Sequence, residues 1–354
     1  MDEPGEKSAA ASRFGAPRAT GAFWLPRPVS ALLRLLLLLA ATSVVTFALV
    51  AASPVDPVKA NLGQAAYAQM SEGQRAQLAE YWGADTPLPE RYAHWLSGAL
   101  RGDLGQSLRF GRPVTEVVGE RFANSAALMA CAWLLAGVVG LGLGVLAGSC
   151  RGSLVDRAVS GICLALSSTP SFWLGLLAVM VFSVALGWFP LGFSVPIGVD
   201  AAQVSWADKL HHMVLPALVL GVANAPSIAL HTRQKTVEVL ESDYVRFALG
   251  RGETPRQVLL RHGMRNLVLP AVTLECASVG EIFGGSVLVE QVFSYPGLGQ
   301  AAVTAGLGGD APLLVAIALA SALVVFAGNA AGDAICALID PRVRDRRREA
   351  NGAR

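Results

Sequence analysis

Runs of apolar residues long enough to cross a bilayer decide what this chain can fold into. The hydrocarbon core is about 30 Å thick, and a helix rising about 1.5 Å per residue needs roughly 20 apolar residues to span it. Backbone groups in lipid must be satisfied inside the segment, so such runs become helices. Six runs qualify: 29–52, 124–148, 155–188, 213–231, 266–293 and 312–338. Composition agrees. The chain is 53% hydrophobic and 15% charged, where a soluble domain carries about 25% charged residues. The net charge of +2 averages basic ends over neutral spans and makes no case for nucleic acid.

Residues 1–28 read as a polar cytoplasmic tail. The run at 29–52 is too long for a signal peptide and has no small-residue cleavage site before a soluble domain, so it reads as a retained anchor, with Arg34 snorkelling at its cytoplasmic end. The third run contains Ser167-Ser168-Thr169-Pro170, which fits a kink in one tilted span or a break between two short ones. Loop charge favours a single crossing there. Arg151 and Arg157, the seven basic residues from Arg233 to Arg265, and the tail arginines Arg342 to Arg348 fall on one side only if that region crosses once. Cytoplasmic loops carry such an excess, so both termini are expected in the cytoplasm. The segment 53–121 then lies outside, as short helices on the outer membrane face. A core of five helices occupies 122–340, and a basic tail at 341–354 anchors the last span against lipid headgroups.

Catalytic signatures do not occur. There is no GxxxxGK[ST] phosphate loop and no HExxH. The five cysteines sit in or at the ends of apolar segments, form no CxxC pair and read as small buried residues. His211 and His212 are adjacent at the entry to the fourth span, where side chains diverge, so no metal site is expected.

The unusual segment is the cytoplasmic loop at 241–265. Ser242 or Asp243 can cap a first short helix, with Tyr244, Phe247, Ala248 and Arg251 at helical spacing on one face. Gly250 and Gly252 permit a stop and a turn. Thr254, then Pro255 and Arg256, start a second helix in the usual cap-then-proline order. Two capped helices about a glycine turn are more structure than lipid attraction needs, and they suit a lever gripped by a partner protein.

The segment from Asp243-Tyr244-Val245-Arg246-Phe247-Ala248 through Gly252 to Leu269-Pro270 resembles the EAA loop of the dipeptide/oligopeptide/nickel permease family of ABC importers. Other blocks match that family in order: Gly102-Asp103-Leu104-Gly105-Gln106-Ser107, Pro170-Ser171-Phe172-Trp173, His212-Met213-Val214-Leu215-Pro216, Glu290 with Phe293 to Gly299, Asn329 with Asp333, and Asp340 to Arg344. The resemblance spans roughly Arg34 to Arg344, and the long outer segment resembles the family's B-type subunit. It implies an all-α integral membrane fold of six transmembrane helices, the type I ABC importer (MetI-like) permease, in the inner membrane of a prokaryote.

The same resemblance implies the machine around the chain. A homologous permease subunit would pair with it, two ATPase domains would grip the loop, and an extracytoplasmic binding protein would deliver solute. ATP-Mg would sit on the ATPases, leaving this chain without cofactor or catalysis. Asp243, Tyr244, Arg246, Phe247, Ala248, Gly252, Thr254, Pro255 and Arg256 would form the dock, with the second helix entering the ATPase. Cargo in the family ranges over peptides, nickel and metal-chelator or opine-like solutes, with peptide the default. An ion-driven transporter would instead show inverted repeats, and none is evident.

Two departures stand out. Leu249 and Gly250 replace residues usually Arg and Ala in the family, and Leu307 to Pro312 replaces a charged Asp-Tyr-Pro region. The fifth span carries Glu275 and Glu281, flanking Ser278. A carboxylate at mid-membrane costs about 2.5–3.5 kcal/mol on insertion scales, so these three residues are candidates for the translocation pathway. Six residues turn a helix by about 240°, so only one of the two carboxylates can face a central ligand. Asn329 and Asp333 are expected to hold helices together.

Overall fold

The computed structural model describes residues 27–339 apart from 54, 56, 82–85, 197 and 200–202; the expected basic tail and almost all of the expected cytoplasmic tail lie outside that range. The order is α1 (Arg27–Ala52), α2 (Pro57–Leu62), α3 (Gln64–Gln69), α4 (Glu72–Tyr81), α5 (Leu88–Ala99), α6 (Val114–Ser149), α7 (Leu154–Ser167), α8 (Ser171–Ala178), α9 (Trp206–Leu240), α10 (Asp243–Gly250), α11 (Pro255–Val258), α12 (Met264–Ala277), α13 (Val279–Val292), α14 (Leu298–Gly308) and α15 (Ala311–Ile339). Most of α1 and α15, and all of α6 and α9, are long and apolar enough to cross a membrane. Two bent pairs, α7 with α8 and its π-helical continuation, and α12 with α13, make six spans if each counts as one.

The third apolar run is broken. Pro170 lacks a donor and restricts Thr169, so α7 ends at Ser167, α8 starts at Ser171, and the axis turns by 104° between them. A smooth kink in one tilted helix is therefore excluded for this segment.

The centre of the molecule is the α6–α9 pair. Gly140, Gly144 and Gly148 lie one turn apart on the buried face of α6. A methyl on Gly140 would fall 2.9 Å from the Ala225 carbonyl oxygen, on Gly144 2.6 Å from that of Ala229, and on Gly148 2.8 Å from that of Arg233. Small residues let helices approach where no hydrophobic force drives them together in lipid. The matches rise together in sequence, so α6 and α9 run parallel and their C-termini share one end of the bundle. Asp156, buried at the start of α7, ties that end by accepting hydrogen bonds from the Arg233 guanidinium. Leu267 packs with Val239, and Ala271 with Ile228, so α12 runs antiparallel to α9 and starts at the same end.

The opposite end is capped by the segment preceding α6 and by α14. The helix α6 begins ten residues before the expected 124, because Val114 and Val117 bury against Leu298, Ala301, Ala305 and Leu313. Expected loop 294–311 is largely helix α14, and the expected fourth span extends at both ends into α9. The predicted short helices of the segment 53–121 are present as α2 to α5, with Tyr92 edge-on to Phe47 of α1 and Trp95 tilted against it, at ring distances of 5.4 and 6.4 Å. Cys163 and Cys276 are buried as expected, whereas Cys150 is exposed at the end of α6.

Asp310 is fully buried and ties the block at 102–107 to the start of α15. Its carboxylate accepts from Ser107 Oγ at 2.6 Å and the Arg109 amide at 3.1 Å, and caps α15 through the Leu313 amide at 3.2 Å. The segment 307–312, a departure in sequence, thus retains a carboxylate that staples the segment before α6 to α15. Asp310→Ala leaves these donors without an acceptor, and a loss of about 1–3 kcal/mol is expected. Thermal unfolding of the purified protein in detergent checks it; an unchanged midpoint would contradict the staple.

Glu290 does the same for α14. Its carboxylate is fully buried and accepts from Ser125 Oγ at 2.6 Å, the Gly299 amide at 2.7 Å and the Gln300 amide at 3.1 Å. These amides are among the unsatisfied donors of a helix N-terminus. A side chain at Gly297 would occupy the space the carboxyl fills, and Asn124 Nδ2 closes the turn by donating to the Pro296 carbonyl at 2.9 Å. Burial first, and then the Glu290 charge, push the Tyr295 phenol up to about 12, so it stays protonated in this corner.

Candidate functional site

The loop between α9 and α12 folds as two helices about a glycine turn, as its sequence predicts. Gly252 sits at φ +90°, a conformation that favours glycine. The second helix opens with a reciprocal cap: the Gln257 amide donates to Thr254 Oγ1 at 3.3 Å and the Thr254 amide to Gln257 Oε1 at 2.9 Å. That helix is a single turn and passes through the π-helical turn Leu259–Gly263 directly into α12. Pro255 and Arg256 occupy its first two positions.

The first helix differs from expectation in two respects. Ser242 is at the cap position, yet its hydroxyl turns back to the Val239 carbonyl and caps nothing; Asp243 begins the helix and is fully exposed. The expected face also divides. Ala248 turns inward with Val245, packing with Val239, Val258 and Leu267. Tyr244, Phe247 and Arg251 face outward, with Phe247 69% exposed and the Arg251 guanidinium 5.9 Å from its ring centre. Arg246 lies on the exposed surface, 3.8 Å from Asp243. The inner alternation Val245/Ala248 was present in the sequence, but the aromatic residues masked it. Tyr244 also accepts from Asn266 Nδ2 at 3.0 Å, which ties α10 to the first turn of α12.

This cluster joins the helix ends mechanically. Val239 is on α9, Val245 and Ala248 on α10, Val258 on α11 and Leu267 on α12. A force on the outward face of α10 therefore reaches two spans at once.

One of them is broken. The axis turns by 54° between α12 and α13, at Ser278, whose hydroxyl and amide both donate to the Glu275 carbonyl, at 2.9 and 3.3 Å. Trp133 Nε1 donates to the same carbonyl at 2.9 Å, pinning the break to α6. The two carboxylates part company here. Glu281 is exposed on α13, while Glu275 is 4% exposed and turned toward α6. Neither Glu275 carboxylate oxygen has a hydrogen-bond partner. Gly137 makes room for it, since a methyl there would be 3.2 Å from Oε2. Trp133 and Gly137 carry no chemistry in sequence and become visible only through this packing. Asn329 is exposed on α15, so within the described residues it does not join helices; Asp333 lies on the same helix, its side chain outside the description.

Bent and unbent spans, with a structured loop joining two helix ends, make the fold of a multi-pass membrane protein. The chain belongs to the family described as binding-protein-dependent transport system inner membrane component, whose models match residues 140–345 and, for its N-terminal part, 22–132. It is thus a multi-pass membrane protein and a non-catalytic subunit of a transport complex. It is 34% identical over 304 residues to the oligopeptide transport system permease protein AppB of Bacillus subtilis, covering 85% of this chain and 93% of that one. It is 36% identical over 316 residues to the glutathione transport system permease protein GsiC of Escherichia coli K12, covering 89% and 98%. With the di/tripeptide permease protein DppB of Pseudomonas aeruginosa it shares 34% over 320 residues, covering 86% and 94%. Among solved structures, a chain of the inward-facing MetNI methionine ABC transporter superposes with a TM-score of 0.51 at 19% identity, over 64% of this chain and 97% of that one, which shows a shared MetI-like fold.

Proposed function

We propose that this chain is a permease subunit of an ABC importer for peptides, pairing with a homologous permease, fed by an extracytoplasmic binding protein and powered by two ATPase domains docked on α10. Three relatives with peptide or glutathione in their names support the cargo class. The parallel run of α6 and α9 supports an odd number of crossings between them. Together with the basic loops, it supports cytoplasmic termini in a prokaryotic inner membrane.

The observation that carries the reading is the two-sided helix α10. Its inner face is locked to α9 and α12 through Val245 and Ala248, and its outer face offers Tyr244, Phe247 and Arg251 to a partner. Exposed aromatics with an arginine are the residues that dominate protein interfaces. The dock therefore moves from the second helix, which is one turn merged into α12, to the first. ATP-driven movement of the docked ATPases would push α10, carry α9 and α12 as levers, and bend the fifth span at Ser278, beside Glu275 and Glu281. Coupling of this kind needs contacts that differ between two states.

The test is co-purification with the cognate ATPase subunits and ATP-dependent uptake in vesicles. Phe247→Asp places a charge in the interface without touching the inner cluster. Loss of ATPase retention by tenfold or more, with normal membrane levels of the permease, is expected. Retention and uptake equal to wild type in both Phe247→Asp and Gly252→Asp would dismiss the dock.

A further inference from the structure

Glu275 is a buried carboxyl that nothing in the fold satisfies. Both oxygens are buried and lack partners, and Glu275 is one of the residues lining an open cavity of about 170 Å³ between α6, α9 and α12. Trp133, Gly137, Ile228 and Ala271 line it, and the exposed side chains of Leu134 and Val138 flank its mouth. A carboxyl in such surroundings costs several kcal/mol unless a donor reaches it. Neither Trp133 nor Ser278 supplies one, because both donate to the Glu275 backbone carbonyl.

We infer that this pocket is a mid-membrane subsite for the ammonium group of the transported solute. It rests on the peptide reading above. Four features point to it. Glu275 lies near the midpoint of the fifth span, beside the break at Ser278, and in ion-driven transporters such helix breaks hold solute. The cavity, at about 170 Å³, is smaller than the roughly 300 Å³ at the low end for a whole ligand, so it takes an end group and not an entire peptide. Its walls are apolar apart from one carboxyl, which matches a cationic nitrogen carried on a short apolar residue. Its mouth opens between Leu134 and Val138, on surface that the fold itself does not cover, where the pathway between two permease subunits would run. Glu281, exposed on α13, is left to meet solute in the wetter part of the same pathway.

The experiment uses the assembled transporter in membrane vesicles. The apolar reagent dicyclohexylcarbodiimide converts a buried carboxyl to an N-acylurea that mass spectrometry locates. Glu275 is expected to be labelled, with Glu275→Gln as the blank. Alanyl-phenylalanine with a free amine is expected to protect it at roughly tenfold lower concentration than the N-acetylated peptide, the effect of one charge-assisted hydrogen bond. Equal protection by both peptides, or by neither, would overturn the subsite. So would labelling in the isolated chain that vanishes on assembly without solute, since a partner side chain would then fill the pocket. Uptake of the two peptides by the same vesicles is measured alongside. Wild-type vesicles that take up neither peptide would sink the peptide reading itself, whereas uptake with no selective protection would sink the subsite alone.

Discussion

Gly144→Leu is expected to prevent the α6–α9 pair from forming, and with it the folded permease. The Ala229 carbonyl and the Thr232 side chain stand 2.6 and 2.5 Å from where a Cβ would be. One of these neighbours is backbone, which cannot swing aside. Even Gly144→Ala should cost about 1–3 kcal/mol through overpacking. Leucine adds a branched side chain on top of that clash, and the helices would have to separate along the contact from Ala132 to Gly148. Little else replaces that contact, because in lipid close van der Waals packing is what holds helices together. The expected result is loss of the monodisperse peak in detergent chromatography, with alanine intermediate in yield and melting temperature. Gly142 is the control: it lies two residues away with nothing within 4 Å, so Gly142→Leu should behave as wild type. Wild-type behaviour of Gly144→Leu would mean that the two helices do not touch along this stripe.

The second large effect is expected from Glu290→Leu. The substitution matches the surrounding apolar volume but strands three donors: Ser125 Oγ and the amides of Gly299 and Gln300. Each buried donor left unmade costs about 1–3 kcal/mol, and breaking a buried charged network typically costs about 3–5 kcal/mol in all. The end of α14 should detach from α6, exposing the corner formed by Tyr295 to Gly299. Glu290→Gln keeps one acceptor oxygen and should lie between. Melting curves of the three proteins in detergent give the order wild type, Gln, Leu; a leucine variant as stable as wild type would show that the carboxylate does not anchor α14.

Much of this was legible in the chain. The long apolar runs follow from length, because a helix in lipid has no other way to satisfy its backbone, whereas counting the third run as one crossing rested on loop charge. The helix–turn–helix of the 241–265 loop was legible because caps and turns are local: Thr254, Gln257 and Gly252 act within a few residues, and they sit where their order predicts. The loop's inner and outer faces were not legible. Which of Val245, Phe247 and Ala248 turns inward depends on Val239 and Leu267, which arrive from two other helices. Helix ends were misplaced for a related reason. The start of α6 at Val114 and the whole of α14 owe their helicity to burial against each other, and no twenty-residue apolar run announces such pieces.

The two intramembrane carboxylates divide along the same line. Sequence separated Glu275 from Glu281 on the assumption of one continuous helix, an assumption the 54° break at Ser278 removes. Only the fold decided which is buried, by placing Gly137 and Trp133 of α6 against the break at Ser278. Glu290 likewise read as a member of a motif block and Asp310 as part of a departure from one, and their work became visible only when α14 and α15 offered their N-terminal amides to them. What the sequence determined by itself is how the chain enters lipid and how its loop turns, because those are set by residues near one another. The tertiary structure decided which carboxylates are satisfied and which one waits for a donor, because a buried charge is judged by whichever helices happen to pack around it.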